Sequence, residues 1–351
     1  MTSSYTYEEI YRQPGTWKTT VNTVKASKEK VLEIFQRESP DEVIFIGCGT
    51  SYYISIAAAL NFAEVTGIMA RAVPASEIFL KPDSVIDKNK KSIIIGLSRS
   101  GNTTEVVRAI EFVQKQKLAE CISITSDPKS DMAIQPGSHK ILLPHVQEKS
   151  IVMTSTFTNL LLASQVIAGV VSNNESFLKE LDQLSSLGDK VFKKAESLGK
   201  RLGEDLRYDH FIYLGLGSYF GLACEGMLKM KEMTQSFSES FNPLEFRHGP
   251  ISVLNEKCCV VLLNQLNIQS YEQDVITEVS PSTGATVVVG ENLESFAGSH
   301  LLELESGLTD QARLILYLPF LQLLAYYRTI KMGLNPDKPR NLNQVVVLKD
   351  E

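Results

Sequence analysis

Two places in this chain combine residue types and spacings that could do chemistry. The first is GLSRSGNTTE, Gly96 to Glu105, which follows an uncharged β-branched run and leads into a helix-like pattern at Val106, Val107, Ala109, Ile110 and Val113. In that setting the hydroxyls of Ser98, Ser100 and Thr103 converge with the N–H groups of a helix start at the carboxyl end of a strand, a nest suited to a dianionic phosphate. The same residue types also make plain turns and caps. The second place is Cys224 to Pro250. Glu225, Lys229 and Glu232 stand four and three apart and share one helix face. A solvated ladder of salt bridges is the commoner use of such a triplet. Phe246-Arg247-His248-Gly249-Pro250 then places an imidazole in a tight loop. A carboxylate and an imidazole beside a sugar are what proton transfer between C1 and C2 requires, one carrying the proton through an enediol and the other opening the ring.

Other chemistries find less support. His139, His145, His210 and His300 have no metal-ligand spacing, and CxxC and HExxH are absent, so no metal is expected. GCGTS, Gly47 to Ser51, begins like a dinucleotide fingerprint, but Tyr52 stands where the third glycine belongs. No cofactor is expected. Thr50 and Ser51 read instead as polar groups lining the same crevice as the Ser98 loop.

The elements that must position these residues follow from the rest of the chain. Its 351 residues suffice for two domains, and a formal charge of -6 without Lys/Arg blocks argues against nucleic acid as a partner. Five cysteines, two of them the adjacent Cys258 and Cys259, form no disulfide framework, which fits a reducing, cytoplasmic setting. The first 17 residues lack the apolar core of a secretory signal and read as an ordered arm. Ile151 to Val171 carries no charge for 21 residues, long enough to cross a bilayer, but its many Ser, Thr, Asn and Gln side chains favour a buried helix. Leu314 to Tyr327, interrupted by Pro319, is read the same way. No membrane partner is expected.

An internal repeat organises the whole. EVIFIGCGTSYY (Glu42 to Tyr53) returns as HFIYLGLGSYFG (His210 to Gly221), 168 positions later, so that Gly47 matches Gly215 and Gly49 matches Gly217. SIIIGLS (Ser92 to Ser98) has its counterpart in CCVVLLN (Cys258 to Asn264), and CISIT (Cys121 to Thr125) in TVVVG (Thr286 to Gly290). Such short, charge-free, β-branched runs are strands covered on both faces, and the fold class is α/β: two parallel units in tandem. The second unit has NQLNIQS where the first has its hydroxyl array, so one anion per chain is expected. Phe177 to Leu206 reads as one or two amphipathic helices, with Gly188, Gly199 and Gly203 as candidate breaks. The boundary is expected near residue 200, giving domains 1–200 and 201–351.

The ordered set GCGTS, SRSGNT, EGMLKMKE, EFRHGP and GLNPDKPRNLNQVV resembles the sugar isomerase (SIS) family, and the resemblance covers nearly the whole chain. That family includes the isomerase portion of glucosamine-6-phosphate synthase, archaeal-type glucosamine-6-phosphate deaminases and tagatose-6-phosphate ketose/aldose isomerases. The resemblance implies two SIS domains with flavodoxin-like sheets, in a homodimer whose active sites lie between chains. It implies that Ser98, Ser100 and Thr103 hold a 6-phosphate with Arg99 beside them, and that Thr50 and Ser51 line the sugar site. Glu232 would be the base, Lys229 would lie near the reacting oxygens, and His248 from the partner chain would assist ring opening. Arg340 sits in the PRNL tail that closes over the site in the family. Two departures stand out. Gln344 occupies the position of the synthase's tail lysine, and the first residues lead straight into the first SIS half, so the complete glutamine-dependent synthase is not expected.

The function expected is aldose–ketose isomerisation of a hexose with an anion at C6. Deamination of an amino sugar phosphate, isomerisation of a 6-sulfonated sugar, and non-catalytic sensing of a sugar phosphate are the alternatives. Retention of Glu232, Lys229 and His248 argues for catalysis over sensing.

Overall fold

In the computed structural model, which describes residues 4–346 and 348, the repeat seen in the sequence becomes two parallel sheets of five strands each. The first comprises β1 (Glu42–Gly47), β2 (Met69–Pro74), β3 (Ser92–Ser98), β4 (Glu120–Thr125) and β5 (Ser138–Leu142). The second comprises β6 (His210–Leu214), β7 (Phe237–Phe241), β8 (Cys258–Leu263), β9 (Ala285–Gly290) and β10 (His300–Glu303). The orders, β2-β1-β3-β4-β5 and β7-β6-β8-β9-β10, are the same topology, the flavodoxin-like arrangement with its crevice where β1 meets β3. The registers match too: Glu42 pairs with Ser92 in the first sheet and His210 with Cys258 in the second.

The strands β1, β3, β8 and β9 are buried along their whole length, as their charge-poor apolar runs require. Ile44, Ile46 and Ile94 pack with Val106, Ile110 and Val113 of the helix Thr104–Lys115. Ile212, Val260 and Leu262 pack with Val275 and Ile276 of the helix Gln269–Val279. Each such side chain contributes about 1.5–3 kcal/mol by leaving water.

Compactness divides the chain at Ser186, earlier than expected from sequence. One unit holds Arg12–Ser185 and the tail from Asn343; the other holds Ser186–Leu342 and the N-terminal arm through Tyr11. The reason is the linker, a single 29-residue helix, Glu175–Gly203, that runs on through Gly188 and Gly199. Rather than breaking the helix, Gly199 allows close approach: a Cβ there would lie 3.1 Å from the backbone nitrogen of Leu324. The arm is ordered as a helix, Tyr5–Tyr11, capped by Asp337, whose carboxylate accepts the N–H groups of Tyr5 and Thr6 and the Thr6 hydroxyl.

The charge-free stretch forms the buried helix Ser155–Val171, packed against Gln13–Ala26 and Thr50–Thr66. Several of its polar groups are hydrogen-bonded within the unit. Thr158 accepts the indole N–H of Trp17, and Asn159 bonds to Thr16 and Thr20. Pro319 sits in the first turn of the helix Leu318–Lys331, where its missing N–H costs nothing. Among the described residues no helix is long and apolar enough to cross a membrane.

Candidate functional site

In the unit of Arg12–Ser185, two turns meet at the carboxyl end of the sheet. After β1 the chain turns through Gly47 and Gly49 into the helix Thr50–Thr66. A Cβ on Gly47 would stand 2.5 Å from the backbone of Ser51, so only glycine lets the helix start this close to the strand. Thr50 and Ser51 are thereby buried at the helix start. After the neighbouring β3 comes the loop from Ser98 to Thr104. Gly101 adopts φ +64, and a Cβ on it would collide with the Ser130 hydroxyl.

Two of the loop's hydroxyls, those of Ser98 and Thr103, meet. Ser98 Oγ lies 3.1 Å from Thr103 Oγ1 and accepts the Gly101 N–H at 3.0 Å. Ser100 Oγ accepts the Asn102 N–H at 3.2 Å. Thr103 occupies the N-cap of the helix Thr104–Lys115, yet its side chain makes no capping bond, so a simple capping role does not account for it. Neutral hydroxyl–hydroxyl contacts beside a helix N-terminus are readily exchanged for the stronger charge-assisted bonds an anion offers.

Arg99 departs from the expected arrangement. Its guanidinium is buried and turned toward acceptors of the segment 148–151 and one carbonyl of the tail. Nη1 approaches Glu148 Oε2 at 3.4 Å and the Ser150 carbonyl at 3.3 Å; Nη2 donates to the carbonyls of Ile151 at 2.8 Å and Gln344 at 3.3 Å. Gln344 Nε2 in turn donates to the Glu148 carbonyl. These groups border a cavity of about 340 Å³ that Ser100, Asn102, Ser126 and Asp127 also line. Glu148 was not singled out from sequence. Its Oε1 accepts the N–H groups of Thr154 and Thr156 and the Thr154 hydroxyl, capping the buried helix Ser155–Val171. The available signal was its place as the last acid before a charge-free run.

In the unit of Ser186–Leu342, the helix Ser218–Thr234 carries the charged triplet. The triplet is not a solvated ladder: Glu225 and Lys229 are fully buried, and only Glu232, 19% exposed at its side chain, reaches solvent. Lys229 Nζ lies 2.5 Å from Glu232 Oε2 and 3.4 Å from Glu225 Oε1. Burial pulls the lysine's pKa down, but the two carboxylates more than offset it and hold the ammonium charged. Burying three charges is costly unless their geometry is good, so this triad is not explained by stability alone. It presents one carboxylate, oriented from behind by an ammonium, to the outside.

His248 is exposed on the turn after Pro243–Phe246, followed by Gly249 at φ +124. Among the described residues no hydrogen bond or ion pair joins it to Glu232. Arg340 is exposed in the segment after Asp337. Among the described residues, no cluster of three or more His, Cys, Asp or Glu could hold a metal ion.

The second unit's counterpart of the hydroxyl loop is filled from within. By the strand registers, Ser100 and Gly101 correspond to Leu266 and Asn267. The N–H groups of these two residues go to the carboxylate of Asp310, at 3.0 and 3.3 Å. Asp310 is held by a buried ion pair with Arg313, which also donates to the Leu308 carbonyl and Tyr317 OH. Sequence reading missed this carboxylate because it lies more than forty residues from the loop it serves.

With this geometry in hand, comparison with known proteins is informative. Residues 38–168 match the SIS domain family. The isomerizing glutamine–fructose-6-phosphate aminotransferase of Sulfurisphaera tokodaii is 28% identical over 344 residues, 97% of this chain and 56% of the relative, so the chain spans little more than half of that protein. The crystal structure of glucosamine-6-phosphate deaminase from Thermotoga maritima is 28% identical, covers 98% of this chain and 100% of its own, and superposes with a TM-score of 0.79. Tagatose-6-phosphate ketose/aldose isomerase from Escherichia coli shares the fold at a TM-score of 0.88 and 21% identity, over 99% of this chain and 97% of its own. Residues 38–168 thus carry a SIS domain match, within a chain of two parallel α/β units that share one topology.

Proposed function

We propose that this protein moves a proton between C1 and C2 of a hexose bearing an anion at C6, a sugar 6-phosphate, and so interconverts aldose and ketose. The observation that carries this reading is the buried triad from which Glu232 alone reaches solvent, since a protein that only senses a sugar has no need of an oriented base. Glu232 takes the C2 proton of the open-chain aldose and returns it to C1, while a proton passes from O2 to O1 through the enediol. Lys229 holds the carboxylate in place. Ser98, Ser100 and Thr103 receive the 6-phosphate, Thr50 and Ser51 line the sugar, and Arg340 belongs to the segment that closes over it. His248, supplied by the second chain of a homodimer, assists ring opening.

A second reading is favoured by the likeness to a glucosamine-6-phosphate deaminase along the whole of both chains. In it the same proton transfer converts an amino aldose phosphate into a ketimine, to whose C2 water adds as ammonia leaves. Incubation in D₂O with 6-phosphorylated and 6-sulfonated hexoses and amino sugars, following exchange at C1 and C2 by NMR together with ammonia, separates the two. Exchange without ammonia supports the isomerase, and ammonia the deaminase. Glu232→Gln should abolish exchange, a loss of at least about 10²–10⁴-fold, while phosphate still binds; binding without exchange in the wild type would leave only the sensor.

A further inference from the structure

After β8 the chain runs through Asn264, Gln265, Leu266 and Asn267, and three successive backbone N–H groups there end on carboxylates. Gln265 donates to Glu272 at 2.9 Å; Leu266 and Asn267 donate to the two oxygens of Asp310 at 3.0 and 3.3 Å. Successive N–H groups turned to one side form a concavity that binds anions. A cation serves the same point. Arg313, wholly buried, pairs through Nη2 with Asp310 Oδ1. Its other donors are fixed elsewhere: Nη1 donates to the Leu308 carbonyl at 2.8 Å and Nε to the Tyr317 hydroxyl at 3.1 Å. That hydroxyl is anchored in turn on the Asn264 carbonyl at 2.7 Å. The guanidinium is thus aimed by groups other than the carboxylate it meets.

We propose that the loop after β8 is a second anion-binding nest, selective for a small monocarboxylate, which the chain keeps occupied with the side chain of Asp310. The group present is a planar carboxylate with one oxygen for each of two backbone donors, so the external ligand that fits is of the same class. The cradle has supports that do not involve this carboxylate. Tyr219 holds the backbone of residue 310 by donating to its carbonyl at 2.9 Å, and Gln265 Nε2 ties the loop to the Leu216 carbonyl at 3.0 Å. Removing the carboxylate therefore strands a buried guanidinium and two N–H groups, which together call for an anion. In the wild type a free carboxylate must displace a tethered one that loses no translational entropy, so the site stays closed to solutes. The inference is independent of whether the Ser98 loop binds a sugar phosphate.

The test is chemical rescue in the full-length protein, read by thermal unfolding. Asp310→Ala should lower the melting temperature by about 6–20 °C, the loss expected when a buried ion pair is deprived of one partner. Formate supplies the deleted carboxylate and should recover about 3–6 °C, saturably, at about ten times its dissociation constant. Equal acetate or chloride should recover less. Asp310→Gly leaves room for one more carbon and should reverse the order, with acetate above formate. Hydrogen exchange read by mass spectrometry locates the effect: the peptide containing Leu266 and Asn267 should exchange faster in Asp310→Ala and slow again with formate. Wild type should shift by less than about 1 °C with either carboxylate. Asp310→Ala combined with Arg313→Met should not respond to formate. If Asp310→Ala does not fold unaided, refolding from urea in formate reads the same site, and formate-dependent recovery supports the nest. No recovery at any formate concentration, equal recovery with chloride, recovery that survives Arg313→Met, or a wild-type shift as large as the variant's overturns the proposal.

Discussion

Replacing Lys229 with methionine tests the triad most directly, because the side chain keeps most of its unbranched apolar stem and loses its ammonium. In the wild type the ammonium lies 2.5 Å from Glu232 and 3.4 Å from Glu225, with no exposed surface of its own. Its pKa is raised: burial lowers it, and the two carboxylates more than compensate. A lysine held above its ordinary value contributes in full below that value and fails only as pH rises through the folded value. The lysine therefore keeps its contribution in the wild type at every pH below its ordinary value of about 10.4. Removing one partner of a buried ion pair costs about 3–5 kcal/mol. For a unit of about 170 residues this corresponds to a fall in melting temperature of about 6–20 °C. The loss should depend on pH. Without Lys229, Glu225 can stay inside only by taking up a proton, and each pH unit above the ordinary carboxyl range then costs about 1.4 kcal/mol until the folded value is reached. The deficit should be small near pH 5 and largest near pH 8, and Glu225→Gln added to Lys229→Met should recover most of it. Thermal unfolding followed by circular dichroism at both pH values reads this out. A single variant within about 1 kcal/mol of wild type near pH 8 would refute the buried triad.

The hydroxyl nest predicts that Ser100→Ala with Thr103→Ala weakens inorganic phosphate by at least about tenfold in calorimetry, the loss of hydrogen bonds to a charged acceptor, while melting temperature changes little. Glu272 offers an independent test of the filled loop. Burial pushes its carboxyl up to about 8, although Asn264 and the Gln265 N–H donate to it. Its stabilisation is present below the ordinary range near 4.3 and is lost as pH climbs toward about 8. Glu272→Gln should match wild type near pH 5 and exceed it by a few kcal/mol above pH 8 in denaturant titrations; equal stability at both would mean the carboxyl is not buried.

Much of the architecture was legible because sterics leave few choices. Gly47 and Gly215 recur at one spacing because each lets a helix start against the strand before it, and a methyl group there would strike backbone. Runs such as Ile93 to Ile95 and Val260 to Leu262 read as doubly covered strands because no charge interrupts them. What periodicity could not reveal was burial of charge. Glu225, Lys229 and Glu232 have the same spacing whether their helix face meets water or core, and only the surrounding fold decides. Arg99 escaped for a related reason: its side chain is directed by Glu148, about fifty residues on, and by the carbonyl of Gln344 in the tail. Gly199 was misread because a glycine that admits a neighbouring helix looks, in sequence, like one that ends its own.

The divergence of the two halves shows how one duplicated loop can be turned to two uses. Both halves place a loop after the third strand at the same register, and both must satisfy its N–H groups. The second half does so from within the chain: Asp310, paired with Arg313, accepts from Leu266 and Asn267. The first half satisfies its loop with exchangeable hydroxyl contacts among Ser98, Thr103 and Gly101. Those bonds are neutral, and replacing them with bonds to a phosphate roughly doubles their strength. A carboxylate in the chain costs no translational entropy to bind, so the filled loop is the more stable design, whereas the open one is the more responsive. On the reading proposed above, the chain keeps rigidity beside the helix bearing Glu232 and leaves the adaptable loop where a ligand would enter, so that the duplicated fold would offer one anion site and not two.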